Sequence, residues 1–300
     1  MAALLFIPYT LALLALGWAS YTDFKTREVP DWLNFSLVAS GIGINLIFSL
    51  VFLDFSYIAN SLLGFGLFFL LGMLMFYTGQ WGGGDSKMLM GLGALLGLGL
   101  FDKLTFSEVE LFSSFPLFFS FFINLLLVGA VYGLVWSFSL AFLNSKSFLQ
   151  EFKRINKSKD IMLWKKIIIV ALAIAFGLIF FIQNPAVKVP LASAALLAAI
   201  TFYLVLFIKA IEHSCMLRRV APNVLTEGDW VAEDVKYRGK VIASPKDLGV
   251  SKEQIKKLSL LYRQKKIKMV LMKVGIPFIP SFFLAFVVTL AYGNLILMFV

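Results

Sequence analysis

Long uncharged runs constrain this chain more than any other feature of its sequence. Stretches of about 20 residues with almost no charge recur along its whole length, and at about 1.5 Å per residue a helix of that length crosses a hydrocarbon core of about 30 Å. Because lipid offers the backbone no hydrogen-bond partners, such runs must be helical. With 60% hydrophobic and only 15% charged residues, an ordinary globular protein is excluded. We therefore predict an all-α polytopic membrane protein.

The uncharged runs predict about eight transmembrane helices. We place these helices at residues 4–20, 33–53, 58–78, 88–101, 115–143, 167–183, 191–211 and 274–300. Composition then divides the chain into four regions. They are a membrane-embedded core at 1–145, additional transmembrane helices with a basic cytoplasmic loop at 146–211, a small cytoplasmic insertion at 212–273, and a final helix at 274–300.

The basic residues are concentrated in alternate loops. The loops at 24–32, 79–87, 144–166 and 209–273 contain 25 of the 27 lysines and arginines. The positive-inside rule places these loops in the cytoplasm. The net charge of +10 therefore reflects topology and not nucleic-acid binding. We expect a multi-pass protein of the plasma membrane that is surrounded by lipid and binds no nucleic acid.

The chain has one cysteine, Cys215, and one histidine, His213. This composition excludes an internal disulfide, a four-cysteine zinc site and a site with several histidine ligands. Two positions apart at a predicted helix end, the two side chains do not face each other, which argues against a nucleophile and base pair. We expect neither a metal nor a cofactor.

Two acidic residues stand at the predicted cytoplasmic ends of transmembrane helices. Asp23 ends the first helix and Asp85 follows the third, so the topology brings two acids 62 positions apart to one membrane face. Each also has a plain structural interpretation. Asp85 could be the N-cap of the fourth helix, and Asp23 could be an ordinary loop charge.

Asp85 follows three consecutive glycines, Gly82, Gly83 and Gly84. Glycine tolerates positive φ and close approach by another segment, so the run indicates an unusual turn, a close contact or a flexible hinge. A phosphate-binding loop is disfavoured, because the full G-x-x-x-x-G-K-[ST] pattern and its preceding strand are missing. The glycine run therefore favours a functional role for Asp85 over its plain structural interpretation.

Two sequence elements carry a resemblance to a known family. The stretch Trp81-Gly82-Gly83-Gly84-Asp85-Ser86-Lys87 resembles the G-x-G-D signature of membrane aspartyl proteases, in the G-G-G-D-x-K form of type IV prepilin peptidases and archaeal preflagellin peptidases. Asp23-Phe24-Lys25-Thr26-Arg27-Glu28-Val29-Pro30 resembles the D-x-(K/R)-x-(R/K)-x-(I/V)-P element of the same family. The resemblance covers roughly residues 1–145.

The resemblance implies that Asp23 and Asp85 are the catalytic pair of an aspartic endopeptidase. Such an enzyme removes the short basic leader of pilin-like or archaellin-like precursors at the cytoplasmic membrane boundary. Three charged neighbours, Glu28, Asp31 and Lys87, are candidates for orienting the substrate. The paired C-x-x-C motifs of the bacterial members are missing here, which favours the archaeal type and argues against a methyltransferase activity.

Two alternatives remain open at this point. A presenilin-like intramembrane protease would pair a Y-D acid with G-x-G-D, whereas Thr22 precedes Asp23 in this chain. A proton-coupled transporter would use Asp23 and Asp85 as relay acids, but the sequence has no evident internal repeat. Mapping the cleavage site separates the first alternative from the leading hypothesis, and accumulation of a labelled solute in vesicles without precursor cleavage would favour the second.

The 212–273 segment carries two local signals. Ser251-Lys252-Glu253-Gln254 predicts a capping box. The helix that follows has Ile255, Leu258, Leu261 and Tyr262 on one face, which we interpret as a lipid-binding surface. Residues 230–235 and 240–243 predict a hairpin around Arg238-Gly239.

Overall fold

A computed structural model describes residues 6–98 and 117–298 of the chain. In these two ranges the chain forms ten α-helices. They are α1 Ile7–Thr26, α2 Asp31–Val51, α3 Ser56–Tyr77, α4 Gly83–Leu96, α5 Leu117–Leu143, α6 Ser145–Asn156, α7 Lys159–Phe180, α8 Pro185–Ile211, α9 Lys252–Arg263 and α10 Ile279–Tyr292. The polar loop predicted at 102–111 lies outside the described residues.

Five of the described helices, α2, α3, α5, α7 and α8, are long and apolar enough to cross a membrane. The chain is therefore a multi-pass membrane protein. The prediction of about eight crossings is confirmed only for these five. At the other three predicted positions the chain is also helical, but α4 and α10 have only 14 residues each. A helix of that length spans about 21 Å, less than a hydrocarbon core of about 30 Å.

The predicted basic loop at 146–166 is wrong, because this region is helical. α6 occupies its first half, and α7 begins at Lys159, eight residues before the predicted start at 167. The reason is a helical pattern of apolar residues within the charged sequence. Phe148, Phe152 and Ile155 lie on one face of α6 and pack against α8 at Leu206 and Ala210.

The main core surrounds α4, whose residues from Met88 to Leu96 are mostly buried. Its neighbours approach it closely because glycines replace side chains at the contacts. A Cβ atom on Gly93 would lie 2.4 Å from the carbonyl oxygen of Gly64 in α3. A Cβ atom on Gly41 of α2 would lie 2.5 Å from the backbone nitrogen of Leu95. The position of α4, and of the acid in its first turn, is therefore fixed by backbone contacts.

Residues 217–273, which we call the α/β unit, depart from the predicted all-α fold. Their strands are β1 Leu217–Val220, β2 Trp230–Val231, β3 Val235–Tyr237, β4 Lys240–Ala243 and β5 Val270–Lys273. β5 is the centre of an antiparallel sheet in the order β1-β5-β2, and β3 pairs with β4. The unit has its own apolar core, formed with α9.

The predicted hairpin is confirmed only in part. β3 and β4 pair across a tight turn in which Arg238 and Gly239 both have positive φ, 49° and 77°. Trp230, however, pairs with Lys273 of β5 and not with β4. The predicted strand at 230–235 is therefore two strands that belong to two different sheets.

The predicted capping box is confirmed at the start of α9. The Ser251 hydroxyl accepts a hydrogen bond from the Gln254 backbone N–H, and the Gln254 side chain accepts one from the Ser251 N–H. The lipid-binding interpretation of this helix is wrong. Leu258 and Leu261 are buried in the core of the α/β unit, so the apolar face is already occupied.

Replacing Gly64 by alanine should destabilise the helix bundle, whereas replacing Gly66 on the same helix should not. A Cβ atom at Gly64 would lie 2.5 Å from a backbone oxygen, but one at Gly66 would meet nothing within 4 Å. We expect Gly64→Ala to cost about 1–3 kcal/mol through overpacking, and Gly66→Ala to be neutral or slightly stabilising. Thermal unfolding in detergent micelles measures both, and equal stability of the two variants would contradict this packing.

Candidate active site

Asp23 lies in the last turn of α1 and is 6% exposed. Its Oδ2 atom accepts a hydrogen bond of 2.9 Å from the backbone N–H of Ile279, the first residue of α10, and the backbone of Phe278 donates to it as well. The first N–H groups of a helix have no partner within the helix and favour a negative charge. The carboxylate of Asp23 therefore occupies the N-terminal end of α10, and it is not an ordinary loop charge.

Asp85 is the third residue of α4, and Gly82 is the N-cap. The alternative that Asp85 is itself the N-cap is therefore wrong. Its Oδ2 atom instead reaches back and accepts a hydrogen bond of 3.1 Å from the Gly82 N–H. This is the acidic half of a capping box, in which a side chain at the third position satisfies the N-cap donor. The geometry holds the carboxyl group at the start of α4.

The two aspartates interact with each other. They belong to different helices, but Ile279 binds Asp23 while the adjacent Phe278 packs on Trp81, four residues before Asp85, so the charge of Asp23 is felt at Asp85. The helices meet at this point because α4 and α10 both pack against α1. The structure therefore brings together the two acids that the sequence predicted to share one membrane face.

The glycine run adopts a more regular conformation than predicted. Gly82 has a φ of −70°, and Gly83 and Gly84 already belong to α4. The close-contact interpretation holds at Gly84, where a Cβ atom would lie 3.2 Å from the Cβ of Val29 in the first loop. The unusual turn predicted for Gly82, Gly83 and Gly84 lies instead at Gly79, whose φ of +69° is in the left-handed region.

Aromatic rings connect the start of α4 to the start of α10. Trp81 is 7% exposed, and its ring centroid lies 5.8 Å from that of Phe278 and 5.2 Å from that of Phe282. Sequence reasoning missed both phenylalanines and the N–H of Ile279. Pro280, a residue typical of the first turn of a helix, was the one local signal that α10 starts here.

Two of the three candidate orienting residues pair with each other. The Lys87 ammonium lies 2.5 Å from the Asp31 carboxylate, and the two side chains are 37% and 62% exposed. Exposed ion pairs of this kind contribute about 0–1 kcal/mol. The pair joins the first residue of α2 to the first turns of α4. Glu28, the third candidate for orienting the substrate, takes no part in this ion pair.

The α/β unit lies beside the first loop and the glycine motif. The charge of Glu28 acts on Asp229 of the unit, and the indole of Trp230 is within 3.8 Å of where a Cβ of Gly79 would be. Burial raises the pKa of Asp229, while hydrogen bonds from Thr226 oppose that rise. One of these comes from the Thr226 N–H at 2.7 Å. The unit is therefore a direct neighbour of the site.

Cys215 and His213 lie in a short π-helical turn after α8, at Glu212–Met216. The Cys215 thiol faces the carbonyl oxygen of Leu140 at 3.8 Å. Over residues 6–98 and 117–298, no group of three His, Cys, Asp or Glu side chains is arranged to hold a metal ion.

Asp23→Ala should be less stable than Asp23→Asn. The alanine leaves the buried N–H of Ile279 without its acceptor, which costs about 1–3 kcal/mol, whereas the asparagine keeps an acceptor oxygen in place. Thermal unfolding of both variants in the same detergent measures the difference. Equal stability would show that the bond between α1 and α10 contributes nothing to the fold.

Curated relatives match one part of the chain. A preflagellin peptidase of Methanococcus maripaludis is 43% identical over 90 residues, which are 30% of this chain and 39% of the relative. A preflagellin peptidase of Methanocaldococcus jannaschii is 40% identical over 90 residues, 30% of this chain and 38% of the relative. The matched part of the chain thus spans about two fifths of the length of these relatives.

The family model described as the type IV leader peptidase family matches residues 10–144. This range contains both candidate aspartates, the glycine motif and the ion pair between Asp31 and Lys87. It ends directly before α6, so it leaves out α6, α7, α8, the α/β unit and α10. The chain is therefore similar to the type IV leader peptidase family over residues 10–144, the part that contains both candidate aspartates.

Proposed function

We propose that this chain is an aspartic-type endopeptidase that removes the short basic leader of preflagellin-like or prepilin-like precursors. The observation that carries the proposal is that Asp23, at the end of α1, and the first turn of α4, which contains Asp85, both meet the start of α10, where Ile279 binds Asp23 and Phe278 packs on Trp81. The match of residues 10–144 to a leader peptidase family and the similarity to proteins named preflagellin peptidase support it. The cut is made at the cytoplasmic boundary of the plasma membrane.

The two carboxyl groups work as a unit that shares one proton. Two neighbouring carboxylates resist ionising together, so one remains a base while the other keeps its proton. The base takes a proton from a water molecule, whose oxygen attacks the peptide carbonyl carbon, and the acid gives its proton to the carbonyl oxygen. The tetrahedral intermediate then collapses as the C–N bond breaks. The leaving nitrogen receives the proton that the base had taken, and one hydroxyl of the intermediate returns a proton to the other aspartate, so the pair ends with the one proton with which it began. Each positioned proton transfer contributes about 10² to 10⁴-fold.

The surroundings of each acid restrict its movement. Asp23 is bound by the start of α10 and Asp85 by the N-cap of α4, while α4 itself is fixed by glycine contacts. Positioning of this kind lowers the entropic part of the barrier. A precursor whose hydrophobic helix stays in the lipid can then present the peptide bond next to that helix to the pair.

Glu28 is the residue that we propose attracts the basic leader. It is exposed, lies just after the end of α1 at Thr26, and is not held in the ion pair that joins Asp31 to Lys87. We assign that pair to holding the first loop against α4. The match of residues 10–144 to a leader peptidase family does not favour the two alternatives from the sequence, a presenilin-like protease and a proton-coupled transporter.

Asp23→Asn and Asp85→Asn should each abolish leader removal. Each change removes one partner of the proton-sharing pair, and we expect a loss of at least about 10²-fold in kcat. Asp160→Asn, an exposed aspartate in the first turn of α7, is the matched control and should cleave normally. Mass spectrometry of a co-expressed pilin-like precursor gives the cleaved fraction. Normal processing by either site variant would disprove the two-aspartate mechanism.

Glu28→Gln should raise KM for a basic leader by a few-fold and leave kcat unchanged. The effect should shrink at high salt, because exposed charges are screened beyond about 10 Å at 0.1 M ionic strength. Glu253→Gln, an exposed glutamate at the start of α9, is the control with the same charge change. Steady-state cleavage of a synthetic precursor at two salt concentrations measures the effect. An unchanged KM at low salt would exclude Glu28 as the residue that attracts the leader.

A further inference from the structure

One face of α5 is directed toward the surroundings of Asp23. Gly129, Tyr132 and Trp136 are separated by three and four residues, so they lie on the same side of the helix. Gly129 is close to α10, because a Cβ atom there would lie 2.9 Å from the ring of Phe278. Phe278 directly precedes Ile279, the residue whose N–H binds Asp23. The N-terminal end of this face is therefore anchored beside the aspartate.

The other end of the face is anchored on α1, at residues that follow Asp23. The Trp136 ring lies 6.0 Å from the ring of Phe24, the residue after Asp23, and the Arg27 guanidinium lies 5.4 Å from the Trp136 centroid. Tyr132 stands between the two anchors, and its ring is 6.0 Å from that of Trp136. Tyr132 therefore lies on the part of α5 that packs around Asp23.

The hydroxyl group of Tyr132 is buried and finds no hydrogen-bond partner among the residues that the structure describes. A buried polar group without a partner destabilises the fold, so most such groups in proteins are hydrogen-bonded and an exception calls for an explanation. This hydroxyl also interacts electrostatically with Asp23 and Arg27. A donor that is free, buried and next to a candidate catalytic acid is suited to a substrate group.

We propose that Tyr132 is a further catalytic residue, whose hydroxyl donates a hydrogen bond to the carbonyl oxygen of the peptide bond that is cut. This inference rests on the proposed function and adds a residue to it. The hydroxyl keeps its proton throughout. It stabilises the negative charge that develops on the carbonyl oxygen when water attacks, in addition to the proton supplied by the aspartate pair. Preorganised donors of this kind are among the strongest contributions to acyl-transfer catalysis.

The geometry also separates this role from a purely structural one. The ring packs against Trp136, and phenylalanine would fill the same space equally well. A tyrosine kept only for packing would be expected to place its hydroxyl against a partner or at a wet interface. The hydroxyl of Tyr132 is thus the part of the side chain that the fold does not use.

Tyr132→Phe tests the proposal, because it removes the hydroxyl alone and keeps the ring. We expect kcat for leader removal to fall by about 10²-fold, the loss typical of a single oxyanion donor, with KM unchanged. The melting temperature should stay the same or rise slightly, because an unpartnered buried polar atom is lost. Tyr203→Phe, at an exposed position of α8, is the control and should leave kcat unchanged.

The other outcomes separate this proposal from the proposed function. A wild-type kcat in Tyr132→Phe, or a rise in KM alone, overturns the role of Tyr132 while Asp23→Asn and Asp85→Asn remain inactive. Normal cleavage by either aspartate variant overturns the two-aspartate mechanism itself, whatever Tyr132 does. A loss of kcat accompanied by an equal loss of folded protein would make Tyr132 a structural residue and so would also overturn the proposal.

Discussion

The close packing of α4 against α2 and α3 is the constraint on which the rest of the structure depends. At Gly41, Gly64 and Gly93 the backbones come so close that no Cβ atom fits without movement. A short helix of 14 residues thereby acquires a fixed position inside the bundle. Asp85 belongs to its first turn, so the contacts that hold α4 also decide where that carboxyl group lies.

The second acid is positioned by a segment from the far end of the chain. Asp23 and Ile279 are 256 residues apart, yet the first N–H of α10 binds the carboxylate. Trp81 packs on Phe278 and Phe282, so the same helix also touches the glycine motif. The family match ends at residue 144. In this chain the surroundings of the pair are therefore completed by a helix outside the matched region.

Residue patterns were sufficient to predict some features and not others. The uncharged runs predicted α2, α3 and α5 within a few residues, and motif and charge together singled out Asp23 and Asp85. The sequence did not predict the start of α7, because its first turns carry charges. It did not predict α6 either, because basic residues interrupt the apolar face of that helix. The hairpin was placed one strand too early because local propensity cannot show that β5 offers Trp230 a partner.

The site residues that escaped prediction share a physical cause. The N–H of Ile279 is a backbone donor and leaves no mark on the side-chain pattern. Tyr132 stands in a long apolar run, where nothing in the sequence distinguishes a buried hydroxyl from one at the lipid surface. In both cases the chemistry arises from a contact between distant segments, which only the folded chain brings together.

The most direct test of the central claim compares the two single variants with the double variant Asp23→Asn/Asp85→Asn. Residues that act as one unit are strongly non-additive, so removing both costs about as much as removing one. The measurement is the residual rate of leader removal from a purified precursor, followed by mass spectrometry over long incubation. If the aspartates form one catalytic pair, the three residual rates should be similar. A double variant whose loss equals the product of the two single losses would show that the acids act independently.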